Sequence, residues 1–140
     1  MKRFIVLILS AIAASSLALD RCSVLRAVKA SGVVGIKGST AGDYVCLAYY
    51  ASGYNPSLNR SPTEYGMFQI NSYWWCDDGK TPGRKNICRV RCKDLLNNNL
   101  KDDLACVKRI VQDPNGLNAW VPWKQNCKGK NLNKFTTGCK

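Results

Sequence analysis

Apolar positions recur at helical spacing in three stretches of the chain. In CSVLRAVKASG they fall at Cys22, Leu25 and Val28, one face of a helix, with Gly32 as its stop. DYVCLAYYASG predicts a second helix, closed by Gly53 at its C-cap. In LKDDLACVKRIVQDPNG, Leu100, Leu104, Val107 and Val111 share a face, and Pro114 with Gly116 ends the pattern. LNAWVPWKQNC predicts a short apolar-faced helix in spite of Pro122. Elsewhere the period changes. YNPSLNRSP is turn material, and TEYGMFQINSYWW predicts strands around a hairpin. VVGIKGSTAG reads as loop, CDDGKTPGRKNIC as a long loop closed by cysteines, and the tail KGKNLNKFTTGC as loop with one helical turn. Helices surrounding one small sheet segment predict an α+β fold. The 140 residues suit one domain, and no internal repeat or interdomain linker interrupts them.

The first residues stand apart from this pattern. MKRFIVLILSAIAASSLA opens with Lys2 and Arg3, runs apolar from Phe4 and ends in small residues. It reads as a secretory signal peptide over 1–18, cleaved between Ser16 and Ala18, ahead of a domain at 19–140. As a membrane anchor it falls short of the roughly 20 apolar residues a bilayer needs, and Ser10 breaks it, so no membrane span is predicted. All eight cysteines lie beyond it. An even count in a secreted chain of this size implies a disulfide framework, with roughly a hundred pairings open to spacing alone. A zinc site is disfavoured because the chain has no His.

Charge adds a class of partner. Removing Lys2 and Arg3 takes the net charge from +12 to +10, since all nine acids lie in the mature part. Basic residues cluster at Arg84, Lys85, Arg89, Arg91 and Lys93, and again at Lys124, Lys128, Lys130 and Lys134. Such a charge favours anionic surfaces, bacterial envelopes and acidic glycans among them, or simply keeps the surface solvated. No nucleic-acid-binding module is present, so specific nucleic-acid recognition is not expected.

Three segments then point to a family. YGMFQINSYWWCDDGKTPGRKNIC resembles the central segment of C-type lysozymes and α-lactalbumins, NGLNAWVPWKQNC their last core helix, and VCLAYYASGYN their second helix and the turn after it. The resemblance runs through the mature chain and takes in every cysteine. It implies the lysozyme fold, with a helical lobe, a small antiparallel β lobe and a cleft between them. It further implies the bridges Cys22–Cys139, Cys46–Cys127, Cys76–Cys92 and Cys88–Cys106.

The family hydrolyses glycosidic bonds with two carboxyls, a neutral general acid and an ionised partner. The resemblance puts the acid in the last turn of the second helix, five residues after its cysteine, where this chain has Ala51. It puts the second carboxylate just before YG in the hairpin, where this chain has Glu64, one methylene longer than the usual Asp. A methyl group cannot protonate a leaving oxygen, and loss of a general acid costs about 10²–10⁴-fold in rate. In this respect the chain resembles α-lactalbumin and the sperm lysozyme-like proteins more than the active lysozymes. An α-lactalbumin-like regulatory role is disfavoured, because that family's modifier surface includes a His.

The sugar-binding side is implied to persist: Trp74, Trp75 and Trp120 match aromatic cleft residues, and Gln69, Asn71 and Asp113 match polar ones. Aromatic faces stack on sugar rings while amides and carboxylates take hydroxyls. Two adjacent tryptophans in an extended segment face opposite ways, so at least one of Trp74 and Trp75 is expected at the surface, and Trp123 in the core. The hairpin from Leu58 to Thr63 is shorter than in common lysozymes, and it carries a glycosylation sequon at Asn59, followed by Pro62. KDLLNNNLKDD resembles the α-lactalbumin calcium loop, with Asp102, Asp103 and Asn97 as side-chain ligands and Asp94 and Asn99 as carbonyl donors. One carboxylate is replaced by an amide, so weak calcium binding at most is implied; the alternative is that Asp102 and Asp103 favour a helix start. The expected protein is a secreted monomer, in an acrosomal or other secretory compartment. It is expected to bind amino-sugar glycans or bacterial cell wall without efficient hydrolysis and to require no cofactor. The alternatives are an active muramidase with Glu64 as its only acid, and antibacterial action through charge alone.

Overall fold

A computed structural model describes residues 18–140. The predicted leader lies outside the described residues except for Ala18. Helix α1 spans Arg21–Ser31. Its N-cap Asp20 accepts a hydrogen bond from the Ser23 amide at 2.7 Å, and Gly32 ends it in the left-handed conformation that glycine adopts without a Cβ penalty. Helix α2 spans Ala41–Ser52. Thr40 and Asp43 form a reciprocal capping box at its start, and Gly53 closes it at φ 63°. Helix α3 spans Lys101–Val111 and buries Leu104, Cys106, Val107, Ile110 and Val111 along one face. The predicted helix at Trp120 is split in two. Gly116–Ala119 forms a 3-10 turn and α4 spans Val121–Asn126, with Pro122 in its first turn, where a missing N–H costs nothing. Short 3-10 turns also occupy Ile36–Gly38 within the predicted loop, Cys92–Leu95, and Asn133–Phe135 in the tail.

Helix α2 is the central element. It packs against α1 and α4, and α1 packs in turn on α3. Tyr44, Val45, Leu47 and Ala48 of α2 are fully buried. The sheet is smaller than the pattern predicts. Strands β1 (Glu64–Tyr65) and β2 (Ile70–Asn71) pair antiparallel, Glu64 opposite Asn71 and Tyr65 opposite Ile70. The apolar residues between them do not alternate across a strand. Met67 and Phe68 enter the core as a buried turn, with Gly66 at φ 84° and Gln69 at φ 48°. The Trp120 indole N–H donates to the Phe68 carbonyl at 2.9 Å, which ties this turn to the helical lobe.

The four bridges implied by the family are all formed: Cys22–Cys139, Cys46–Cys127, Cys76–Cys92 and Cys88–Cys106. The first joins residues 117 apart in sequence and ties the two ends of the domain together. Constraining a loop of that length in the unfolded chain is worth about 5 kcal/mol in the chain-entropy model. Among the described residues, no helix is long and apolar enough to cross a membrane.

Candidate functional site

The end of α2, the hairpin and the 119–122 segment enclose a cleft of about 190 Å³. Ala51, Arg60, Glu64, Gln69, Asn71, Trp75 and Trp120 line it, with Ile70, Ile110, Ala119, Val121 and Pro122. Wider depressions exist. One, about 670 Å³ at the start of α2, is bordered by Lys29, Thr40, Gly42 and Leu132 and shares no residue with the cleft. Its one carboxylate, Asp43, is already engaged in the helix cap. The cleft brings aromatic faces, amides and a carboxylate together in one concavity.

Ala51 occupies the last turn of α2 and is 1% exposed, so only its methyl meets the cleft. Glu64 on β1 is half-buried, and its Oε1 accepts a hydrogen bond from the Ser61 hydroxyl at 3.3 Å. It is the only carboxylate in the cleft lining.

The residues expected to take sugar divide into three groups. Trp75 lines the cleft half-buried, with the Arg109 guanidinium 6.0 Å from its ring centroid. Trp74, at 49% exposure, stands outside the lining with Tyr73 packed edge-on against it, so one of the two tryptophans does face solvent. Trp120 is 7% exposed and its indole N–H is committed to the Phe68 carbonyl, which makes it a wall of the cleft more than a free stacking face. Trp123 is in the core.

The polar residues are more committed than the pattern suggested. Gln69 is buried, and its amide nitrogen donates to the carbonyls of Leu58 and Gly66, both at 2.8 Å, so its donor staples the hairpin. Its Oε1 is buried without a partner. The Asn71 oxygen accepts from the Tyr73 amide at 2.7 Å and the Trp74 amide at 3.4 Å, leaving its NH₂ as its group for a ligand. Asp113 lies outside the cleft lining and is ion-paired with Arg109 at 2.6 Å.

Pattern reading did not identify Asn59, Arg60 or Arg109 as site residues. Asn59 donates from one amide nitrogen to the carbonyls of Ser61 at 2.6 Å and Glu64 at 2.9 Å, which closes the short hairpin. A glycan on that nitrogen would replace one of the two donors. Arg60 follows it and reaches the cleft. The sequon and the shortened hairpin marked this stretch, but nothing local indicated where its arginine points.

In the loop that resembles a calcium site the two expected carboxylates differ in setting. Asp102 is exposed, while Asp103 is fully buried with both oxygens unpartnered. Burial pushes the Asp103 carboxyl up to about 8, with its own backbone N–H opposing the rise and Asp102 beside it adding to it. The Asn97 oxygen is taken by the Asn99 amide at 3.0 Å, and its NH₂ points at the Asp94 carbonyl at 3.3 Å, one of the expected donors. Among the described residues, no three His, Cys, Asp or Glu side chains gather as a metal site. Asp102 and Asp103 do occupy the first turn of α3, although neither caps it by a side-chain hydrogen bond.

Comparison with known proteins agrees with this architecture. Residues 17–139 match the C-type lysozyme/alpha-lactalbumin family. Lysozyme C of Bufo gargarizans andrewsi is 48% identical over 126 residues, covering 86% of each chain. Lysozyme C II of Oncorhynchus mykiss is 46% identical across 99% of both chains. Lysozyme C of Colobus angolensis is 46% identical over 125 residues, 86% of this chain and 84% of its own. With a family match over residues 17–139 and relatives 46–48% identical across most of the chain, the chain belongs to the C-type lysozyme/alpha-lactalbumin family.

Proposed function

We propose that this protein is secreted and binds amino-sugar chains in its cleft without hydrolysing them efficiently. The observation that carries the reading is Ala51: a buried methyl stands at the end of α2, and Glu64 is the only carboxylate in the cleft lining. A carboxylate can stabilise a sugar cation, but a leaving alkoxide still needs a proton, and no second acid is placed to give one. Trp75 and the Asn71 NH₂ remain available to a sugar. Four disulfides fit an oxidising, extracellular compartment, and acrosomal storage is one such destination. The protein acts as a monomer and needs no cofactor in this reading.

The test is lysis of peptidoglycan by the oxidised mature protein, with Ala51→Glu beside it and thermal melts to confirm that both fold. The expected result is an inert wild type and a variant with activity raised by at least about 10²-fold. The relatives' names, lysozyme C, favour the rival reading in which Glu64 alone supports muramidase action. A wild type that lyses walls as fast as the variant would establish that rival. The charge of +12 in the full sequence favours a second alternative, killing through cationic binding to envelopes. That action collapses at high ionic strength, whereas binding in the cleft persists.

A further inference from the structure

We infer that a second binding site lies between the start of α2 and the loop that follows α4, a lysine-lined trough that takes a sulfated polysaccharide. It is separate from the cleft and does not depend on what the cleft binds.

The depression of about 670 Å³ at the start of α2 and another of about 350 Å³ share Asp43 and Gly129, so the two run together. Lys29 and Lys130 border the first, Lys37 and Lys128 the second, and neither depression shares a residue with the cleft. All four lysines are exposed, and among the described residues none is in an ion pair. The one carboxylate in the trough does not pair with them. Asp43 accepts from the Thr40 amide at 2.8 Å and hydroxyl at 3.0 Å through Oδ2, and from the Trp123 indole at 3.1 Å through Oδ1. Like charges gathered along one surface raise its potential, and an anionic chain that spans them relieves their mutual repulsion.

Two of the lysines are held in place. Lys128 donates to the Asn118 Oδ1 at 2.8 Å, and its ammonium stands 5.9 Å from the Trp123 ring centroid. Lys37 adopts φ 52°, a left-handed conformation that is costly for a residue with a Cβ. Its stem crosses Gly116, where a Cβ would come within 3.4 Å of the Lys37 Cδ. An ammonium already placed loses less freedom when it meets an anion. Between the charges the lining is amide and hydroxyl, from Asn115, Asn131, Asn133 and Thr136. The Asn131 oxygen accepts from the Asn133 amide at 3.0 Å, which leaves its NH₂ for a ligand. The exposed aromatic rings, Tyr49, Tyr50, Tyr73 and Trp74, lie outside the trough. Single-stranded nucleic acid stacks its bases on such rings, so lysines spaced by amides with no exposed ring suit a sulfated sugar chain instead.

The experiment is calorimetric titration of the mature oxidised protein with three ligands: a heparin hexasaccharide, its desulfated and N-acetylated counterpart, and a single-stranded DNA oligomer of matched charge. The sulfated chain should bind with log K falling by about 3 per decade of salt, the counterion release of four contacts on a flexible polyanion. The desulfated chain should bind at least about tenfold more weakly. Lys29→Gln, Lys37→Gln, Lys128→Gln and Lys130→Gln together should cost about 30-fold, at the scale of exposed charge contacts. The same change at Lys80, Arg89, Lys93 and Lys101, exposed residues outside both depressions, removes equal charge and should cost no more than about threefold. Near-UV circular dichroism checks that each variant keeps its fold. If the fourfold trough variant does not fold, Lys29→Gln with Lys130→Gln should still cost about fivefold. An equal loss in the two fourfold variants would assign the binding to the field of the whole protein and overturn the site. DNA bound as tightly as the sulfated chain, with the same lysine dependence, would mean that the trough reads charge alone and overturn the choice of ligand. Equal affinity for the desulfated chain, or no binding of the sulfated one, also overturns the inference.

Discussion

Substituting Asp103 by Asn should flatten the dependence of stability on pH. Asp103 lies in the first turn of α3, fully buried, with both oxygens unpartnered, and its carboxyl is pushed up to about 8 chiefly by burial. In the unfolded chain an aspartate titrates near pH 3.9. Between those values the folded protein holds a proton that the unfolded chain has released. Its stability therefore falls as pH rises from about 4 to about 8 and levels off above. At about 1.4 kcal/mol per pH unit, a full shift across that window costs roughly 5 kcal/mol, and water reaching the site reduces it toward ~2–3 kcal/mol. The chain has no His, so no other side chain with an ordinary pKa titrates in mid-window. The assay is guanidinium unfolding with the disulfides intact, in half-unit steps from pH 4.5 to 8.5. Wild type should lose about 2 kcal/mol or more across the range, and Asp103→Asn should lose little and be the more stable protein at pH 8. A flat wild-type profile or an equal slope in the variant would refute the reasoning.

The remaining expectations concern the turn and the exposed aromatic. Gly66→Ala should cost at least ~3 kcal/mol in the same unfolding assay, because a Cβ there meets the Leu95 carbonyl oxygen and comes within 2.9 Å of the Asp103 Oδ2, at φ 84°. A loss below ~1 kcal/mol would mean that the turn relaxes freely. Trp74→Ala should alter stability by no more than ~0.5 kcal/mol, since its ring is half exposed, yet weaken binding of an N-acetylglucosamine tetrasaccharide about three- to tenfold. Unchanged affinity in calorimetry would remove Trp74 from the binding surface.

The helices were legible because their determinants are local. The apolar spacing around Leu25 and Val28, Gly32 and Gly53 as left-handed stops, and the run from Leu104 to Val111 each report on residues within a few turns. Resemblance to a family supplied the disulfide pairs and located Ala51 and Glu64, which periodicity alone did not do. Strand length was misjudged because Met67 and Phe68 look like strand residues by type, whereas Phe68 is held as a buried turn by Trp120, 52 positions away. The partners of the polar residues were not legible for a related reason. Gln69 has the chemistry of a sugar contact, but its donor is spent on two hairpin carbonyls, and Asp113 is taken by Arg109.

The sequence by itself determined the α+β class, the helical segments, the absence of a second acid near Ala51 and the positive charge of the chain. Only the tertiary structure decided that Asp103 is buried without a partner, that Asn97 turns its amide onto a carbonyl, and that Arg60 reaches the cleft unpaired. A residue's type sets which bonds it can make. Which bonds it does make depends on neighbours that the chain brings together from far along its length, and no local pattern encodes their position.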